Sequence, residues 1–139
     1  MICIKVIVCV SDGGGMLFMK RRLSRDKKLT EDVAKAAEDG VLYISDFSEE
    51  LFEDSEASVL AVSSPLDLAG AEDFVFVENE KLLPHVDKID TLIIYRWNRK
   101  YPFDFSLDIE PREHGFKLIG SYDFKGNSHE KITKEIYIK

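Results

Sequence analysis

Several residue types are scarce in these 139 residues, and each scarcity closes off a class of function. Cysteine occurs only as Cys3 and Cys9, on one apolar stretch. Extended chain sets them about 20 Å apart, far beyond disulfide reach, and a reducing cytoplasm is the expected home. Histidine occurs as the isolated His85, His114 and His129. No Cys/His spacing matches a zinc site, and the dense His-x-His-x-Asp-His cluster of metallo-β-lactamase-type hydrolases is missing. Basic charge is in deficit, with 19 Lys and Arg against 26 Asp and Glu, for a net charge of -7. A surface that tracks nucleic acid or anionic lipid needs the opposite balance. No apolar run approaches the roughly 20 residues of a membrane helix, and nothing resembles a secretory signal. Repeats, linkers and low-complexity segments are likewise missing, so residues 1–139 are read as a single domain.

The front of the chain alternates strand-like and helix-like segments. Cys3 to Val10 is nearly unbroken apolar and rich in β-branched residues. That pattern suits a strand covered on both faces in the middle of a parallel or mixed sheet. Ser11-Asp12-Gly13-Gly14-Gly15 breaks the run, glycine being open to backbone angles that other residues avoid. Its glycines have neither the Lys-Ser/Thr of a P-loop nor the spacing of a dinucleotide fingerprint. Lys20 to Lys28 is a basic island in an acidic protein, either a solvated loop or an anion-binding rim. A helix is expected to open at Leu29-Thr30-Glu31-Asp32, with Thr30 as N-cap and Asp32 in the first turn, where the dipole favours acids. It should end near Asp39-Gly40, with glycine at C′.

Val41 to Ile44, Val59 to Val62 and Phe74 to Val77 read as further strands. Asp46 is expected to cap a short acidic helix over Phe47 to Phe52, with Glu49 completing a capping box. Ser63 to Asp73 is expected to hold a turn and one helical turn, and Lys81 to Lys88 a short helix limited by Pro84. Thr91 to Tyr95, Phe116 to Tyr122 and Lys131 to Tyr137 then follow as strands with no helix between them. Lys125-Gly126-Asn127 supplies a turn before the last. The fold class is therefore α/β, a mixed sheet flanked by helices and closed by an antiparallel hairpin.

In their order, these strings resemble dihydrofolate reductase. Ile4 to Val10 looks like the first strand of that family, and Leu29-Thr30-Glu31-Asp32 resembles its Leu-Pro-x-Asp helix start. Leu82 to Ile89 resembles its Leu-Pro-x-Ala-Asp-x-Leu segment, and Phe116 to Tyr137 its closing hairpin. The resemblance implies a three-layer α/β/α fold with about seven strands in the central sheet, and a flexible lid at the glycines. It implies that Asp32 is the acid that holds a pterin ring, with Tyr95 where the family has its partner threonine. It also places Val8, Cys9 and Arg96 among the ligand-binding residues.

The cofactor strings depart from the family. Its Gly-Arg-x-Thr, which meets the NADPH 2′-phosphate, is replaced by Ser45-Asp46-Phe47-Ser48. Its Gly-Gly beside the diphosphate is replaced by Glu78-Asn79, which adds bulk and charge. Two acids facing a polyanion each oppose binding by about 1 kcal/mol or more. The stretch between Val62 and Phe74 is short for the family's edge strand and helix, and its folate-tail arginine falls on Ala57. NADPH in the ordinary seat is thus not expected, and no cofactor is assigned.

The other candidates have plain alternatives. Asp32 is either a ligand acid or a helix-dipole acid. Arg96-Trp97-Asn98-Arg99 is either a recognition patch, since arginine suits carboxylate forks, or a strand end with Trp97 in the core. Ser128-His129-Glu130 cannot act as one relay on extended chain, where neighbours point apart. They are read as hairpin residues unless His129 reaches a cleft. Three functions follow: a binder of a pterin-like heterocycle beside Asp32; a working NAD(P)H reductase with a modified cofactor pose; or a non-enzymatic module that uses the acidic stretch Glu49 to Glu56 or the Arg96 patch.

Overall fold

In the computed structural model, residues 3–139 are described except Glu56 and Glu72. The acidic stretch considered above therefore ends, at Glu56, outside the described residues. Strand β1 (Ile4–Val10) leads through the glycine turn into β2 (Gly15–Phe18) and β3 (Arg21–Arg22), and then into helix α1 (Lys27–Ala36). Next come β4 (Leu42–Ile44), a 3₁₀ helix (Asp46–Phe52), β5 (Val59–Ala61), the short α2 (Pro65–Leu68) and β6 (Phe74–Val77). A 3₁₀ helix (Leu83–Lys88) precedes β7 (Ile89–Arg96), followed by β8 (Phe105–Ser106), a further 3₁₀ turn (Pro111–His114), β9 (Lys117–Phe124) and β10 (Ile132–Ile138).

The central seven-stranded sheet has the order β5-β4-β6-β1-β7-β10-β9. β1 lies parallel to β6 and β7, and β10 runs antiparallel to both β7 and β9. The apolar run of β1 is explained by its place in the middle: Ile4, Val6, Val8 and Val10 enter one core layer, with Val75, Leu92 and Tyr137. Ile7 enters the other, with Leu29, Val33, Phe76, Tyr95 and Trp97. Leu29, Val33 and Ala37 recur every four residues, so one stripe of α1 packs on the sheet. A small second sheet, β3-β2-β8, starts from the last residue of the glycine turn, Gly15.

Four local expectations are corrected. α1 begins at Lys27, with Asp26 and not Thr30 as its N-cap, and the Thr30 hydroxyl donates back to the Asp26 carbonyl at 3.0 Å. Asp32 is therefore in the body of the helix, outside its first turn. The helix is capped at Ala37, and Gly40 is not among the glycines with positive φ, which are Gly13, Gly14 and Gly115. The acidic segment is a 3₁₀ helix that already includes Asp46, and the residue before it, Ser45, makes no side-chain cap bond.

Candidate functional site

The start of α1 is fastened by a tertiary clamp. The Asp26 side chain is fully buried. Its Oδ1 accepts from Lys28 N at 2.9 Å and Leu29 N at 3.4 Å within the helix, and from Asn127 N at 2.8 Å across the fold. Its Oδ2 accepts from Ser128 N at 2.8 Å and the Ser128 hydroxyl at 3.2 Å, and faces His129 Nδ1 at 3.0 Å. Burial alone would raise this acid's pKa, but the N–H donors of Asn127 and Ser128, with His129 and Leu29, hold it well below the usual carboxylate range. The turn at residues 126–129 thus points Ser128 and His129 at one carboxylate, which extended chain would not have allowed. His129 is buried, its ring stacked on Trp97 with centroids 4.6 Å apart. Its Nε2 lies 3.1 Å from the Ser24 hydroxyl and 3.2 Å from that of Tyr101.

Beside this clamp is a cleft between α1 and the sheet, walled by Cys9, Leu29, Val33, Phe52, Phe76 and Trp97. Arg22 reaches into it from the basic island. The guanidinium forks onto Glu78, with Nε 2.9 Å from one carboxylate oxygen and Nη2 3.0 Å from the other. It also bonds the Phe47 carbonyl at 2.9 Å and pairs with Glu50. The buried Ser48 hydroxyl donates to Glu78 at 2.6 Å. With Arg22 in place the enclosed space is about 20 Å³, room for little more than one water. Arg22 thus leaves the solvated island for the chain's own acids, while Lys20, Arg21, Arg25, Lys27 and Lys28 are exposed. Burial, with Glu78 nearby, pushes the Cys9 thiol up, so it behaves as a wall and not as a nucleophile.

Asp32 lies elsewhere. Its Oδ2 accepts from the Tyr95 hydroxyl at 2.5 Å and pairs with Lys134 Nζ at 2.9 Å. The register opposes Lys134 and Tyr95 on β10 and β7, which explains the grouping. Burial first, and then the hydrogen bond to Asp32 and that acid's charge, push the Tyr95 hydroxyl's pKa far up, so it remains a donor. Of the other proposed ligand residues, Cys9 lines the cleft, whereas Val8 is fully buried in the opposite core layer, as strand alternation requires. Arg96 pairs with Glu135 at 2.7 Å. Trp97 is core, and Asn98 turns left-handed at φ 58°, ending the alternation expected through Arg99. Asp46 is exposed and Asn79 meets Ser45 Oγ at 3.5 Å, whereas Glu78, Ser48 and the Phe47 carbonyl are the parts of the cofactor strings that enter the cleft network. Among the described residues no group of three or more His, Cys, Asp or Glu is arranged to hold a metal ion.

The chain superposes on dihydrofolate reductase from Enterococcus faecalis, a structure complexed with NADP(H) and RAB-propyl, with a TM-score of 0.69. The match covers 98% of this chain and 95% of that one, at 8% sequence identity. The fold is that of dihydrofolate reductase. At this identity the likeness speaks for the fold alone. No protein-family model matches the sequence, and a search of curated proteins gives no significant match. No helix of the described chain is long and apolar enough to cross a membrane.

Within this dihydrofolate reductase-like fold, the residues missed from sequence are Arg22, Ser24 and Asp26. A signal for the last two was present: Leu23-Ser24-Arg25-Asp26 has the same Leu-x-x-Asp spacing as Leu29-Thr30-Glu31-Asp32. The helix starts after the first of these strings, whose basic neighbours had marked it as loop.

Proposed function

We propose that this protein binds a small nitrogen-rich heterocycle in the cleft under α1 and does not seat NADPH in the ordinary reductase manner. The observation that carries the reading is the Arg22 fork on Glu78. A guanidinium presents two parallel N–H groups to one carboxylate, and the amino-substituted edge of a pterin or diaminopyrimidine presents the same pair. Such a ring can take Glu78 from Arg22 and lie between the apolar walls of Leu29, Val33, Phe52 and Phe76. The obstacle to a dinucleotide is then occupancy more than repulsion, because Arg22 neutralises the charge that Glu78 brings. Asp32, with Tyr95, is the competing acid for the same ring edge.

Thermal shift and calorimetry with pterin, 2,4-diaminopyrimidine, dihydrofolate and antifolates test this. Ligand at 100 times Kd stabilises by about 2.7 kcal/mol, an easily read shift. Glu78→Gln should abolish it if Glu78 grips the ring, and Asp32→Asn if Asp32 does. No shift with any of these compounds far above micromolar concentration overturns the binding reading. Oxidation of NADPH or NADH in the presence of dihydrofolate overturns the cofactor half of it.

A further inference from the structure

We propose that Ser24, His129 and Asp26 form an acyl-transfer site that hydrolyses small carboxylic esters with apolar acyl groups. The three side chains stand in the order that such chemistry uses: carboxylate to Nδ1 at 3.0 Å, and Nε2 to hydroxyl at 3.1 Å. An ionised carboxylate only accepts hydrogen bonds, so the proton of a neutral imidazole resides on Nδ1 and the lone pair of Nε2 faces Ser24. Stacking on Trp97 fixes the plane of the ring. Exposure is graded in the useful direction: Asp26 and His129 are buried, whereas Ser24 is half-buried on the cleft wall.

Tyr101 supplies the second hydroxyl on the same nitrogen. One lone pair accepts from one hydroxyl at a time, so while Ser24 donates to Nε2 the Tyr101 proton is available to a carbonyl oxygen. Tyr101 also lines an open groove of about 590 Å³ with Phe18, Met19, Leu23 and Pro102, and Arg21 at its rim. Arg22 and Leu23 border both the groove and the cleft, which puts an acyl-sized apolar trough next to the serine.

The reaction balances with water as the only co-reactant. Ser24 Oγ bonds to the ester carbonyl carbon while its proton passes to His129 Nε2, and the resulting imidazolium is stabilised by Asp26. Collapse breaks the bond to the alcohol, which leaves with that proton. Water then attacks the acyl-serine, giving a proton to Nε2. Ser24 departs with it, and the carboxylic acid is released.

A fluorophosphonate probe with intact-mass and peptide analysis tests the site, alongside hydrolysis of p-nitrophenyl butyrate. The expected result is a single phosphonyl adduct on Ser24, no adduct in Ser24→Ala, and labelling slowed on the order of 10²-fold or more in His129→Gln. Ester hydrolysis should be lost in Ser24→Ala while the protein stays folded in urea titration, since the Tyr101 hydroxyl still reaches His129 Nε2. Folded protein that shows no Ser24 adduct after long exposure to excess probe overturns the proposal. So does labelling that proceeds equally fast in His129→Gln, or hydrolysis that survives Ser24→Ala.

Discussion

Replacing Asp26 by alanine removes the acceptor that joins the start of α1 to the turn before β10, about 100 residues away in sequence. Loss of the N-cap costs about 1 kcal/mol. The amides of Asn127 and Ser128 also lose their acceptor, but these residues are exposed and water can replace it in part, so about 1 kcal/mol each is the appropriate lower end. The sum is about 3 kcal/mol. With a urea m-value of about 2 kcal/mol/M, the midpoint should fall by about 1.5 M. Asp26→Asn separates charge from shape. Its oxygen can still accept from the helix, but its amide meets the donors of Ser128 and His129, at a cost of about 2 kcal/mol.

The sign of the pH dependence follows from the depressed folded pKa of Asp26. The carboxylate's contribution is fully present above its unfolded value of about 3.9 and disappears as pH falls through the lower folded value. The gap between wild type and Asp26→Asn should therefore be constant near neutrality and close in acid. Urea titrations of both proteins across that range supply the check. A neutral-pH gap below about 0.5 kcal/mol, or one that persists unchanged into strong acid, would refute the clamp.

Three further outcomes are expected. Arg22→Met leaves the Glu78 carboxylate buried without its cation and should destabilise by about 3 kcal/mol or more, whereas Arg22→Met with Glu78→Met should return to within about 1 kcal/mol of wild type; a double-mutant cycle in urea reads the difference. Gly126→Ala places a Cβ 2.4 Å from Asp26 Oδ2 and 2.8 Å from Ile132 Cδ1, so it should cost about 2 kcal/mol and add little in an Asp26→Ala background, where the clamp is already open. Tyr95→Phe should cost about 1–2 kcal/mol through the lost bond to Asp32. Alkaline ultraviolet titration of the folded wild type should count fewer than its 5 tyrosines, because Tyr95 stays protonated.

Much of the architecture was legible before any coordinates. The apolar run of β1, the short strands at Val59 and Phe74 and the closing hairpin were readable because burial on one or both faces imposes its own residue period. Helix α1 was expected from a capping residue and acids in its first turn, yet its start was misplaced. Thr30 and Asp26 are both acceptable caps in isolation, and the choice between them was made by Asn127 and Ser128, which no local window contains.

By itself, then, the sequence determined the layers: which segments build the central sheet, that a helix follows the first strand, and which reductase strings have been replaced at Asp46 and Glu78. Only the tertiary structure decided which polar groups meet. It pulled Arg22 out of a basic run and onto Glu78, set Asp32 against Lys134 and Tyr95, and turned Ser128 and His129 towards Asp26. The reason is range: apolar periodicity is written within a dozen residues, whereas each of these polar meetings joins residues that only the closed sheet brings together.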